Sequence, residues 1–211
     1  MFEAVIWDFG GVITSSPFEA FNRYEAERGL PQNLIRRINS INPDANAWSK
    51  IERAEIDAAG FDAMFAAEAL ALGYDIPGRA VLALLSGDVR PRMVAALDQC
   101  RRSGLRLGCI TNNVPVGAGD ETLTRSPAAD ALTRFEVVIE SSKAGVRKPD
   151  PRIYTMMCEA LGVAPRACVY LDDLGINCKP AAALGMTAIK VTSEAQALEA
   201  LGKALALEFG G

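Results

Sequence analysis

The chain contains no histidine, and that absence removes whole classes of chemistry. Ser-His-Asp and Cys-His nucleophilic catalysis, phosphohistidine transfer and His-ligated zinc are excluded together. Any catalysis must therefore come from carboxylates, lysine, arginine, hydroxyls or an oxygen-ligated metal. No segment approaches the roughly 18 consecutive apolar residues that would span a bilayer, and no charged n-region precedes the first apolar run. A cytoplasmic protein without a membrane partner is expected. No Cys-x-x-Cys pair occurs, and the five cysteines (Cys100, Cys109, Cys158, Cys168 and Cys178) are odd in number and several lie in apolar runs, so they are expected to be reduced core thiols. Nor is there a basic block: 22 basic residues face 26 acidic ones, a net charge of −4, which speaks against nucleic acid as a partner.

What is present is a chain of 211 residues, half of them apolar, enough to bury the core of one α/β domain with an embellishment, or of two small domains. Short apolar runs of strand length recur at Ala4–Trp7, Leu107–Ile110, Val137–Ile139, Cys168–Leu171 and Ala188–Val191. Their continuous apolarity predicts strands buried on both faces, as in a parallel sheet. Helices should lie between them. Pro91 can open one that closes before Gly104, Asp150 can cap one that begins at Pro151 and ends near Gly162, and a third should run from about Asn177 to Leu184 with Gly185 as its terminator. The alternation predicts an α/β fold with a doubly wound parallel sheet.

Residues 16–87 break this rhythm. Apolar positions there (Phe18, Phe21; Leu34, Ile35, Ile38; Phe61, Met64, Phe65) recur at helical spacing with no convincing strand. An all-helical cap inserted after the first strand is expected over 16–87, leaving 1–15 and 88–211 as the α/β core. A long loop is expected from Val114 to Pro127.

Three of the strands run into polar residues: Trp7 into Asp8, Ile110 into Thr111, and Leu171 into Asp172-Asp173. In a parallel sheet these ends share one edge, where open α/β folds bind ligands. A lone aspartate at such a position ordinarily caps a helix or makes a turn. Three carboxylates on one edge, however, would repel one another unless a cation sat between them, and oxygen-only ligands suit Mg²⁺.

Four segments together resemble a known family. Trp7-Asp8-Phe9-Gly10-Gly11-Val12-Ile13, Ile110-Thr111-Asn112-Asn113, Lys148 within Gly145-Val146-Arg147-Lys148-Pro149-Asp150-Pro151, and Leu171-Asp172-Asp173-Leu174-Gly175-Ile176-Asn177 resemble, in order and spacing, the four motifs of the haloacid dehalogenase (HAD) superfamily. Within it the chain is similar to the phosphatase-like N-terminal domains of soluble epoxide hydrolases and acyl-CoA dehydrogenase fusion proteins. The resemblance implies a Rossmann-like core with a helical cap, and a Mg²⁺-dependent phosphatase acting on a small phosphorylated metabolite. It implies Asp8 as the nucleophile that forms an aspartyl-phosphate, with Thr111 and Lys148 as catalytic partners and Thr111, Asn112, Asn113 and Lys148 around the phosphoryl group. Asp8, the Gly10 carbonyl and Asp173 would hold Mg²⁺, supported from behind by Asp172 and Asn177. Thr111 could instead merely end a strand, and Lys148 could be a solvated loop lysine.

One departure matters. Family phosphatases carry a second aspartate two residues after the nucleophile, a general acid/base of the kind that contributes roughly 10²- to 10⁴-fold in rate; here that position is Gly10. Three readings follow: a phosphatase that takes good leaving groups or borrows an acid from the cap (Glu52, Glu55 or Asp57), a low-turnover protein that binds Mg²⁺ and a phosphorylated metabolite, or a 2-haloacid dehalogenase attacking carbon. Arg36, Arg37, Trp48, Lys50 and Arg53 of the cap could face a substrate. For the charged four a solvated helix face serves as well, and packing is the simpler role for Trp48.

Overall fold

The computed structural model describes residues 1–114 and 126–209. Five strands, β1 (Ala4–Trp7), β2 (Arg106–Thr111), β3 (Val137–Glu140), β4 (Cys168–Asp172) and β5 (Thr187–Lys190), form one sheet in the order β3-β2-β1-β4-β5. Every neighbouring pair is parallel. The order places β1 at the centre, and the chain changes direction across the sheet between β3 and β4, which opens a crevice at the carboxyl ends of β1, β2 and β4. Thr111 and Asp172 are the last residues of their strands rather than the first residues beyond them.

Residue alternation assigns the two faces of the sheet. Val5 and Trp7 of β1 pack with Met93 and Leu97 of α6 (Pro91–Arg102) and with Leu198 and Leu201 of α11 (Glu194–Leu205). Ala4 and Ile6 point the other way, onto Ile153 and Met157 of α9 (Pro151–Leu161) and Ala181 of α10 (Gly175–Ala183). The predicted punctuation is present. Pro91 opens α6, the Asp150 carboxylate accepts from the amide of Arg152 at the start of α9, and Gly162 and Gly185 close α9 and α10 in the left-handed region. The expected burial on both faces holds for β1 and β4 and for Leu107–Ile110 of β2, but not for β3 or β5. Those two are the sheet edges, so each has a neighbour on one side only.

Between β1 and α6 lie α1 (Pro17–Glu27), α2 (Leu34–Ser40), α3 (Ala47–Glu52), α4 (Ala58–Ala71) and α5 (Gly78–Leu82). They form a unit with its own core of Phe21, Leu34, Ile35, Ile38, Ile51, Phe61 and Phe65, where each buried large side chain contributes roughly 1.5–3 kcal/mol. Phe18, Phe21, Trp48, Phe61 and Phe65 run as a chain of ring contacts with centroids 5.4–6.1 Å apart. The unit joins the sheet through two chain passes stitched together by an antiparallel bridge between Thr14 and Val89 and by bonds between Ser15 and Asp88 and between Arg90 and Ile13.

Much of the long loop expected from Val114 to Pro127 lies outside the described residues; at its ends, Val114 packs on the helical unit and Pro127 opens α7 (Pro127–Leu132). A four-residue helix, α8 (Ser141–Ala144), follows β3. All five cysteines are free and buried. Among the described residues no helix is long and apolar enough to cross a membrane.

Candidate active site

Asp8 leaves the end of β1 with its amide bonded to the Leu171 carbonyl of β4 at 2.8 Å and its Oδ1 accepting from the Phe9 amide at 2.7 Å. The next residues turn tightly: the amides of Val12, Ile13 and Thr14 all reach the Phe9 carbonyl. Gly11 sits at φ +80° against the Asp173 carboxylate, where any Cβ would collide with it. The Arg90 guanidinium holds the turn from outside by donating to the Gly11 carbonyl at 2.8 Å.

Lys148 reaches the same point from the loop between α8 and α9. It is only 1% exposed, and its Nζ lies 2.7 Å from Asp8 Oδ1 and 2.8 Å from Asp172 Oδ2. Burial works against its charge, but Asp172 and Asp8 outweigh that and hold the amine above the ordinary lysine range. It is a buried, paired ammonium and not a solvated loop lysine.

The two neighbouring aspartates differ sharply. Asp172, 0% exposed, accepts from the Tyr170 hydroxyl (2.5 Å), Lys148, the Leu174 amide (2.8 Å) and the Asn177 side-chain amide (3.1 Å to each oxygen). Asp173 is half-buried, and among the described residues the one side chain that donates to its carboxylate is the Ser16 hydroxyl, at 3.2 Å. Burial, reinforced by the charge of Asp172, pushes Asp173 up to about 6. The same two causes raise Asp8 well above the carboxylate range although Lys148 touches it.

Among the described residues, one ammonium therefore pairs with two of three neighbouring carboxylates. Asp8, Asp172 and Asp173 each offer an oxygen within 4.8 Å of the others, a donor set that fits a hard, oxygen-seeking cation. Because Asp172 is saturated by its donors, Asp8 and Asp173 are the carboxylates with capacity to spare. The Gly10 carbonyl accepts no bond from the described residues.

The remaining predicted residues separate. Thr111 ends β2 half-buried, in register with Glu140, and its hydroxyl bonds to no described residue. Asn112 is a brace: its Nδ2 donates to the Lys148 carbonyl (3.0 Å) and its Oδ1 accepts from the Lys148 amide (2.9 Å). Asn113 turns toward β3 and α8, bonding Glu140 and Ser142. Both asparagine side chains, expected around the phosphoryl group, are thus committed to the protein, which leaves only their main chains for a ligand. In the cap, Glu55 is paired with Arg53 and Asp57 caps α4, both exposed. Glu52 alone of these three acids is buried, between Trp48 and Arg147. Trp48 packs edge-on against Phe21 and Phe61, Arg36 lies over Phe18, and Arg37 is exposed. Tyr170, Ser16 and Arg90 were not among the predicted residues. Tyr170 was findable, since positions i and i+2 of a strand share a face and this one shares it with Asp172.

Comparison with known proteins shows the family. The family model for haloacid dehalogenase-like hydrolases matches residues 2–185, and the chain belongs to that family. It is 31% identical over 206 residues to acyl-CoA dehydrogenase family member 10 of Mus musculus, covering 95% of this chain and 19% of that protein. It is 36% identical over 109 residues to a phosphatase of Mycobacterium tuberculosis, covering 52% and 47%. The chain thus spans about a fifth to a half of the lengths of these relatives. Among solved structures it resembles a HAD family enzyme of Bacteroides thetaiotaomicron in complex with magnesium and inorganic phosphate (TM-score 0.61, 18% identity, 90% and 94% covered). It also resembles an L-2-haloacid dehalogenase of Xanthobacter autotrophicus (TM-score 0.62, 21% identity, 98% and 83% covered). At these identities the likeness is one of fold.

Proposed function

We propose that the protein is a Mg²⁺-dependent phosphatase that hydrolyses a small phosphorylated metabolite of the cytoplasm through an aspartyl-phosphate on Asp8, with residues 16–87 acting as the cap over a core of 1–15 and 88–211. The observation that carries this reading is the charge imbalance at the rim, where among the described residues Lys148 pairs with Asp8 and Asp172 and the third clustered carboxylate, Asp173, meets no cation. Asp8, Asp173 and the Gly10 carbonyl would hold Mg²⁺, which supplies positive charge against the phosphoryl oxygens. The Asp8 carboxylate attacks phosphorus as the bond to the ester oxygen breaks and the alcohol leaves, taking its proton from solvent; water then attacks the phosphorus of the aspartyl-phosphate, releasing phosphate and restoring the carboxylate. Lys148, the Thr111 hydroxyl and the main chain at Asn112 and Asn113 receive the negative charge that develops on the transferred group. Asp172, fixed by Tyr170 and Asn177, keeps Lys148 charged and aimed. The phosphatase among the relatives and the magnesium and phosphate bound by the Bacteroides enzyme support the reading.

Gly10 supports a second reading, a protein that binds Mg²⁺ and a phosphorylated metabolite with little turnover. A dehalogenase is disfavoured because carbon displacement without a metal leaves the rim charges uncompensated. Hydrolysis of p-nitrophenyl phosphate that requires Mg²⁺ and is lost in Asp8→Asn is the expected result. Thermal stabilisation by Mg²⁺ and phosphate without turnover would favour the binding protein, and metal-free halide release from a 2-haloacid would establish the dehalogenase.

A further inference from the structure

Lys148 is held from both sides of the gap between core and cap. On the core side, Asn112 clamps its amide and its carbonyl. On the cap side, the grip belongs to the residue before it. The Arg147 Nε lies 2.6 Å from Glu52 Oε2 at the end of α3, and its Nη1 donates to the Pro43 carbonyl at 3.1 Å. Glu52 is itself fixed within the cap: one turn earlier on the same helix, the Trp48 indole donates to its Oε1 at 2.9 Å, and Trp48 is wedged between Phe21 and Phe61. An unbroken line of contacts therefore runs from the aromatic core of the cap, through Glu52 and Arg147, to the backbone of the lysine that touches Asp8.

Stability is a poor explanation for this arrangement. Glu52 is 5% exposed and burial pushes its carboxyl up to about 7 against the pull of Arg147, and a pair desolvated to that degree returns little net free energy. What it provides is a directional joint between two separately packed units, at the residue adjoining the site.

We propose that Glu52 and Arg147 are positioning residues through which the cap sets the placement of Lys148 against Asp8 and the phosphoryl group. The proposal rests on the phosphatase reading. It assigns Glu52 a mechanical role and not that of a proton donor standing in for the aspartate missing at Gly10.

A double-mutant cycle tests it, with Glu52→Gln, Arg147→Gln and the combination, assayed with Mg²⁺ on p-nitrophenyl phosphate and on phenyl phosphate, whose leaving group is much poorer. Each single variant should lower kcat on both esters by a similar factor, on the order of 10- to 100-fold for a displaced catalytic group. KM should stay within about twofold, and the double variant should be no worse than the poorer single one. Additive losses, a change confined to KM, or a Glu52→Gln defect much larger on phenyl phosphate would overturn the proposal, the last by making Glu52 a proton donor. Hydrogen exchange gives a readout that does not need turnover: exchange at Val146–Lys148 should quicken in Glu52→Gln, and unchanged exchange refutes the joint. Failure of the wild-type protein to hydrolyse either ester, together with quickened exchange in Glu52→Gln, would sink the phosphatase reading and keep the joint.

Discussion

Asp172 and Asp173 are neighbours in sequence and opposites in setting. One is sealed at the end of β4 and saturated by a hydroxyl, an ammonium and two amides; the other sits a residue further on, at the mouth of the crevice, with the Ser16 hydroxyl as its one side-chain donor among the described residues. The side of the rim behind Lys148 is finished, whereas the side that faces Gly10 and Gly11 carries negative charge still to be met. A carboxylate whose lone pairs are spent fixes its neighbours, and one whose lone pairs are free binds what arrives.

The largest effect should come where the two sides meet. Asp8→Asn removes the nucleophile and is expected to lower Mg²⁺-dependent release of phosphate from p-nitrophenyl phosphate by on the order of 10³-fold or more; a variant retaining a tenth of the rate would dismiss Asp8 as the attacking group. Next, the same substitution on the two neighbours should differ in kind. Asp172→Asn breaks a buried charge pair and should cost about 3–5 kcal/mol in urea unfolding. Asp173→Asn relieves repulsion and should leave the metal-free protein within about 1 kcal/mol of wild type, or above it. Equal losses would erase the contrast.

The open side can also be refitted. A Cβ at Gly10 meets no heavy atom within 4 Å, while one at Gly11 strikes Asp173. Gly10→Asp is thus expected to fold and to raise kcat on phenyl phosphate by roughly 10²-fold, the lower end for general acid catalysis; no gain would mean that proton transfer to the leaving group does not limit the protein. The smallest effect is on pH. Without a cation, Asp173 titrates near 6, above the ordinary 3.8, so the folded form binds the extra proton between those values and stability falls as pH rises through that window. Mg²⁺ should reverse this above pH 6 and compete with the proton below it. The Mg²⁺-induced rise in Tm should therefore be larger at pH 7.5 than at pH 5, by about 2–4 °C for each kcal/mol of binding energy gained. Glu52 titrates nearby in wild type and in Asp173→Asn alike, so a pH-dependent Mg²⁺ effect of the same size in that variant would refute the assignment to Asp173.

Sequence reading reached those parts of the molecule whose signals are local. Apolar runs ending in Asp8, Thr111 and Asp172 marked the sheet rim because each is a contiguous pattern, and the helical spacing of Phe61, Met64 and Phe65 marked the cap. What stayed hidden depends on pairing between distant segments. Nothing in Val137–Ile139 tells an edge strand from a central one, because the missing neighbour is a property of sheet order. Asn112 and Asn113 look alike on paper; the direction of each side chain at the end of β2 decides that one braces Lys148 and the other binds Glu140. Arg147 carries no mark of its own beside Lys148, since its partner lies 95 positions earlier in the cap.

The stitched passage at Thr14–Ser15 and Asp88–Arg90 has a mechanical corollary. Two chain passes bonded side by side are fixed in register, so the helical unit enters and leaves the core at one place. Ser16 is the first residue beyond it and holds the Asp173 carboxylate. The passage into the helical unit and the acidic rim thus share a fastening, the bond from the Ser16 hydroxyl to Asp173.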